Sequence, residues 1–509
     1  MILLTILSYR GQIKMKFNLV YDRRITLEFE VTSSTGPELV FEFENRIIPN
    51  GINFDPDDFV KEQSEDAMGK TVIQEFNTRE RDNEFTLGFL KEDCGYEVNE
   101  IFLDEVSDKV LDNQINIYPI FPTNPFTCFA DQPFTDFLSS RVLDLISREK
   151  LKLVIVNSSE AFEFEFLTSL CYNLKKCKLH EVEVIVTTSD LAAPKQYERY
   201  VGELIRHIHQ QDWDSTSNID NPYDVSIFKD IKECNIRFVS INYYGAGSFI
   251  DTDWMLSMKD KGVIPMNNNF LKELKKKKKF KYLNYNGVGK PHRFISMSEL
   301  YRRKLNGYGL NSYLCWDSTP EADLRIAKNI KTSKDVSNYF STFSKKLPIL
   351  LDYDVEIHKN GHRYSNLEHM IDSYFSIVTE SCYFGYEHGS IPEELQYCPI
   401  FLTEKTYRTL LYHPFILMAA PHSLKYLQKF GYKTFPEMFD ESYDDIEDTV
   451  ERLLFIIDEV ERVCNMDDVK LHEIYVDYTL PIIKYNQQNF LKCNSKTLYE
   501  TFFTEIIGV

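Results

Sequence analysis

Two series of short apolar runs, separated by stretches long enough for helices, restrict the chain's fold more than any other feature. The first series is Leu151 to Val156, Val182 to Val186 and Ile236 to Ile241. The second follows Lys281 and comprises Ser312 to Trp316, Pro348 to Tyr353, Phe375 to Val378 and Phe415 to Ala419. Runs that are this short and rich in β-branched residues read as buried strands, and their spacing reads as βαβ units around parallel sheets. The fold class expected is therefore α/β, with two Rossmann-like domains facing a cleft and a small β-rich addition at the N-terminus. In that addition, Ile25 to Val31 and Leu39 to Phe43 alternate across a Ser-Ser-Thr-Gly-Pro turn, as a hairpin does, and acidic loops with Asp55, Asp57 and Asp58 follow. The expected domains are 1–115, 116–270, 281–465 and a helical end, 466–509. The main boundary is expected near Leu271 to Phe280, where Lys275 to Lys279 form an unbroken basic run. Such a like-charge block reads more simply as a solvated linker face than as a polyanion site.

At 509 residues the chain is too long for one ordinary core, and 43% hydrophobic residues are enough to fill two. A formal charge of −20 argues against nucleic acid as a partner, because phosphate backbones need a broad basic face. The ten cysteines include no C-x-x-C pair, which fits reduced thiols and a cytoplasmic location. No apolar stretch reaches the ~20 residues of a membrane span. The opening MILLTILSY lacks the basic start and cleavage site of a secretory signal, and Met15 is an alternative first residue. No P-loop, His-Glu-x-x-His motif or internal repeat occurs, and nothing indicates an oligomeric state.

The chemistry concentrates between Phe375 and Asp444. The run Phe375 to Val378 delivers Thr379, Glu380 and Ser381 at the end of a strand, where ligands sit in parallel sheets. Thr403 then caps a helix that runs from Glu404 to Leu411 and stops at His413 and Pro414. Lys405 falls in the first turn of that helix, where a cation opposes the dipole unless an anion such as a diphosphate is bound. Glu380 and Glu404 read either as a carboxylate pair around one ligand or as unrelated surface groups, with ligand contact favoured.

The strand end and the Phe401-Leu402-Thr403-Glu404-Lys405 turn together resemble the donor-binding half of the alpha-1,3-fucosyltransferase family and of related viral and bacterial glycosyltransferases. That family pairs a Phe-Glu-Asn-Ser strand end with a Tyr-Val-Thr-Glu-Lys turn. Here Phe401 takes the tyrosine position, Thr379-Glu380-Ser381 replaces Glu-Asn-Ser, and a long insertion, Cys382 to Ile400, separates the two. The resemblance covers roughly Lys281 to Arg452. It implies a GT-B-like fold, a nucleotide-sugar donor with GDP-sugars favoured (GDP-fucose among them), and a glycan or other hydroxyl acceptor. By the same resemblance, Lys405 holds the donor phosphates and Glu404 bonds ribose or sugar hydroxyls. Residues 281–465 become the donor domain and 116–270 the acceptor side.

Arg293 stands just ahead of Ser296-Met-Ser-Glu299, which reads as a capping box opening a helix. From there it could grip a phosphate through two parallel bonds, as an arginine of the family does, or bond to a carbonyl. An inverting transfer needs a base for the acceptor's proton. Glu160, in Asn157-Ser-Ser-Glu160 after the first strand of its series, is the candidate, although a glutamate there can also serve only the helix dipole. Asp190, after the next strand, is the reserve. The triplets Asp251-Thr-Asp253 and Asp352-Tyr-Asp354 could bind a divalent metal but are frequent by chance in an acidic chain. The expectation is a glycosyltransferase with no obligatory metal or cofactor. The alternatives are a metal-dependent transferase using a triplet, or a nucleotide-sugar-binding protein without catalysis.

Overall fold

A computed structural model describes residues 16–21, 25–31, 39–41, 71–76, 97–103, 106–112, 114–120, 138–157, 170–171, 173–194, 234–240, 258–315, 319–330, 332–351, 366–383 and 398–492. The chain divides into two compact units, Met1–Ile241 with Ser495–Val509, and Asn242–Asn494. Each holds a parallel sheet with helices, so the α/β class and the parallel pairing follow the spacing of the apolar runs.

The first unit contains β1 (Lys16–Tyr21), β5 (Glu97–Phe102), β6 (Ile115–Ile120), β7 (Lys152–Asn157), β8 (Val184–Thr188) and β9 (Ile236–Ser240). These form one sheet in the order β5-β1-β6-β7-β8-β9, and every pairing is parallel. Helix α1 (Ser140–Ser147) precedes β7 and buries Val142, Leu145 and Ile146. The reading of 1–115 as a separate module needs correction, because β1 and β5 belong to the parallel sheet. What pairs apart from it is an antiparallel set, β2 (Ile25–Val31) between β3 (Leu39–Phe41) and β4 (Thr71–Phe76), which includes the expected hairpin. Asparagines, two of them buried, bond β1 to both neighbours. Asn18 Nδ2 donates to Asn116 Oδ1 at 2.7 Å, and Asn99 Nδ2 donates to Asn18 Oδ1 at 3.1 Å. An unpaired amide inside a sheet costs more than a satisfied one, so this chain of bonds favours one register.

The second unit is built on β10 (Phe280–Asn286), β11 (Gly309–Tyr313), β12 (Ser373–Thr379) and β13 (Phe415–Met418), in the order β11-β10-β12-β13 and all parallel. Helices α2 (Pro291–Arg302), α3 (Pro320–Asn329) and α4 (Lys334–Ser344) pack together. Phe294 of α2 meets Phe340, Phe343 and Tyr313 edge to face at 5.6, 5.2 and 6.4 Å. Such contacts add to area burial. Later in the unit come α5 (Glu404–Leu410), α6 (Ser423–Lys429), α7 (Thr449–Cys464), α8 (Asp468–Ile474) and α9 (Leu480–Lys492), and two short helices, Asn268–Leu274 and Leu367–Ile371, lie ahead of β10 and β12. Among the described residues, no helix is long and apolar enough to cross a membrane.

The division at Ile241 and Asn242 lies ahead of the boundary expected near Leu271 to Phe280. Residues 263–266 are tied to α9 of the second unit, since Gln487 Nε2 donates to Val263 O at 2.8 Å and its Oε1 accepts from Met266 N at 2.8 Å. Residues 348–351, the described part of the run Pro348 to Tyr353, form no strand either. Pro348 has no N–H for a ladder, and only an isolated antiparallel bridge between Tyr313 and Ile349 forms there.

The lysine run is mostly paired at the surface, with Lys279 on Asp372 at 2.6 Å and Lys276 on Glu273 at 2.5 Å. Lys278 departs from the solvated-face reading. It is 7% exposed, its Nζ has no hydrogen-bond partner among the described residues, and it lies 4.9 Å from the centroid of the Tyr475 ring. Burial pushes its ammonium down to about 8 from 10.5, with Asp372 and Glu273 pulling it back up. Because the folded pKa of this base is depressed, its penalty is fully present below pH 8 and disappears as pH rises from 8 to 10.5. Lys278→Met is therefore expected to raise stability at pH 7 by ~1–2 kcal/mol, the loss of the cation–π contact offsetting part of the relief. Urea unfolding of both proteins at pH 7 and pH 10 checks this. The gain should shrink at the higher pH.

Candidate functional site

Chain order and spatial order in the second sheet differ in a way that locates a crevice. The chain runs β10 to β11 on one side, then crosses to β12 and β13 on the other, so the winding reverses between β10 and β12. In open α/β sheets, ligands bind outside the carboxyl ends of the strands at such a switch point. The residues at those ends are Asn286, followed by Gly287-Val288-Gly289, and Thr379, followed by Glu380. The two ends are bonded to each other, with Thr379 Oγ1 donating to Asn286 Oδ1 at 2.9 Å.

Glu380 is fully buried, and its carboxylate occupies the start of α5. Thr403 N donates to Oε1 at 2.9 Å, Thr403 Oγ1 donates to Oε2 at 2.7 Å, and Thr406 Oγ1 donates to Oε1 at 2.5 Å. The helix N-terminus that the sequence reading offered to a diphosphate thus already holds an internal anion. In this structure Glu380 is a positioning residue that joins the strand end to the Thr403–Lys405 turn, rather than a surface group or a carboxylate open to ligand.

Arg293 is likewise buried and bonded to carbonyls. Its Nη1 donates to Val288 O at 3.1 Å, and its Nη2 donates to Thr379 O at 3.0 Å and Glu380 O at 3.3 Å. Burial pulls its guanidinium below the ordinary value, and the Glu380 charge opposes that fall. The carbonyl-bonded reading therefore describes Arg293 here, with its charge set against Glu380 instead of a phosphate. The preceding helix boundary also needs correction. α2 begins at Pro291, with Lys290 as N-cap, so Ser296 and Glu299 lie mid-helix. Proline at the first helical position is the better start signal. Glu299 instead binds Arg302 Nε at 2.6 Å and Arg303 Nε at 3.1 Å.

His292 completes this layer. Its Nε2 donates to Glu380 O at 2.9 Å, and its ring stacks on Tyr383 at 5.1 Å. Burial, followed by the Arg293 charge, holds its pKa well below the usual range, so the imidazole is neutral. The centroid of the Tyr383 ring in turn lies 4.6 Å from the guanidinium carbon of Arg452.

Lys405, Glu404 and Ser381 remain accessible. The Lys405 side chain is 39% exposed, with Nζ 3.0 Å from Thr403 Oγ1 and 3.0 Å from Glu404 Oε1, while the Glu404 side chain is 20% exposed. Burial raises the Glu404 carboxyl, but Lys405 beside it more than offsets that, so Glu404 is held below the usual carboxylate value. Thr403 caps α5 as the sequence predicts, its Oγ1 accepting from Lys405 N at 3.4 Å. Ser381 is half-buried just beyond Glu380.

In the first unit, Asp190 is fully buried and holds the turn after β8, with Oδ1 accepting from Ala192 N at 3.0 Å. Glu160 and both aspartate triplets lie outside the described residues. The structure thus brings Arg293, Glu380, Thr403, Glu404 and Lys405 into one bonded cluster. Three members escaped sequence reading: Asn286, His292 and Thr406. The glycines after β10 mark Asn286 as a strand end, and the Thr403/Thr406 spacing puts two hydroxyls on one helical turn. No sequence signal singles out His292. No family model matches the chain, and no curated protein matches it in sequence.

Proposed function

We propose that the chain is a glycosyltransferase of the two-Rossmann-domain, GT-B-like class. It takes a sugar from a nucleotide-diphosphate sugar, with GDP-sugars favoured, and passes it to a hydroxyl of a glycan or other acceptor. One observation supports this above the others. The strand end Thr379–Ser381 and the turn Phe401–Lys405, separated in sequence by a long insertion, are joined through Glu380 and Thr403 at the sheet's switch point. These are the segments whose sequences resemble the donor-binding half of the fucosyltransferases.

In this reading Lys405 faces the diphosphate and Glu404 the ribose or sugar hydroxyls, while Arg293 and Glu380 hold the framework from behind. The acceptor oxygen attacks the anomeric carbon as the bond to the diphosphate breaks. The diphosphate leaves with the electron pair, its charge met by Lys405, and the acceptor's proton passes to Glu160. In this reading Lys405 is the cation that meets the leaving group, and the reaction is proposed to run without a metal.

A thermal-shift panel of nucleotide sugars, with and without EDTA, tests the proposal. A ligand at about 100 times its Kd adds ~2.7 kcal/mol of stability. A shift with one nucleotide class that persists in EDTA is expected. No shift with any of them rejects the donor site, and a shift seen only with Mn²⁺ moves the assignment to the aspartate triplets. Within the panel, Lys405→Ala should weaken nucleoside diphosphate by ~1.5–3 kcal/mol and leave the nucleoside nearly unaffected. Equal loss of both makes the lysine structural.

A further inference from the structure

Tyr285 is exposed where a parallel sheet has no ordinary reason to expose an aromatic ring. β10 is paired on both edges, and strands in such sheets are covered on both faces. Tyr285 nevertheless remains 39% exposed, one residue before the strand ends at the switch point.

The register explains the exposure. Asn284 Nδ2 lies 3.1 Å from Met297 Sδ, so α2 covers the face of β10 that carries Asn284. Leu283 stands opposite Ser376, and the strand period of two puts Tyr285 on that same, other face. His413, just past α5, bonds Ser376 Oγ at 2.7 Å, so α5 approaches this second face, and it packs over β12 and β13. The helices on either side of the switch therefore lie on opposite faces, and neither α2 nor α5 covers the end of β10 on the Tyr285 side, where the ring keeps 39% exposure beside His369. The ring is also oriented. Its hydroxyl lies 2.6 Å from His369 Nδ1, on the short helix Leu367–Ile371.

We infer that Tyr285 is the stacking platform for the nucleobase of the donor. This rests on the donor reading of the same switch point. A flat aromatic face at the carboxyl end of a central strand suits the π-face of a base, and stacking of this kind accepts any base. Lys405 then deals with the charged half of the nucleotide and Tyr285 with its apolar half.

The two halves can be separated by titrating guanosine, GDP, uridine and UDP into wild type, Tyr285→Leu, Tyr285→Phe and Lys405→Ala by calorimetry. Tyr285→Leu fills the space without a π-face and should weaken nucleoside and nucleoside diphosphate alike, by about 10-fold or more. Tyr285→Phe keeps the ring and should recover most of that loss. Lys405→Ala should weaken only the diphosphates. If Tyr285→Leu binds guanosine and GDP like wild type while Lys405→Ala loses GDP, the stacking role is overturned and the donor site stands. If Tyr285→Leu weakens GDP but not guanosine, the ring does not hold the base and the inference also fails. If wild type binds none of the four, the donor reading falls with it.

Discussion

Glu380→Ala is expected to cost the fold ~3–5 kcal/mol, the range for removing one partner of a buried charge network. The substitution leaves Thr403 N, Thr403 Oγ1 and Thr406 Oγ1 without the acceptor they share, and Arg293 without its compensating charge. Each buried donor left unmatched costs ~1–3 kcal/mol, so the losses need not add fully to reach that range. Glu380→Gln retains one acceptor oxygen and should cost less. Denaturant unfolding at neutral pH measures both. A change below ~1 kcal/mol for the alanine variant would mean that Glu380 is not the anchor of α5, and would reopen its reading as a ligand contact.

Glu160→Gln should lower transfer by ~10²–10⁴-fold and leave donor affinity almost unchanged, because the amide keeps the shape of the side chain but cannot take the acceptor's proton. The motivation is its place in the chain, three residues past β7 at the carboxyl end of a parallel strand. Asp190 is buried and bonded to the backbone after β8, which leaves Glu160 as the stronger candidate. Single-turnover rates with saturating donor isolate the chemical step. Near-normal turnover would remove Glu160 from the chemistry, whereas a fall in donor affinity would overturn the assignment of the donor to the second unit.

Both expectations depend on how the site can be read at each level. Lys405, Glu404 and Thr403 are legible because a capping threonine ahead of a helical stretch is a local pattern, fixed within a few residues. α5 indeed starts at Glu404. Arg293 is harder, since the Ser296–Glu299 spacing imitates a capping box while Pro291 starts the helix. A spacing rule reports which residues could bond, and the proline's preset φ decided which turn came first.

From sequence alone come the alternation of short apolar runs with helical stretches, hence the two parallel sheets, and the strand end and turn that flank the switch point. These depend on neighbours within one element, where period and composition act directly. Tertiary structure alone decides which groups are buried and what they face. Lys278 sits in a run of five lysines, yet it is the one placed over Tyr475, because that ring comes from the segment between α8 and α9, far along the chain. Glu380 is equally open to a ligand role in sequence. Only the approach of Thr403 and Thr406 across the insertion makes it the internal anion of α5, since a carboxylate removed from water takes the nearest donors it can reach.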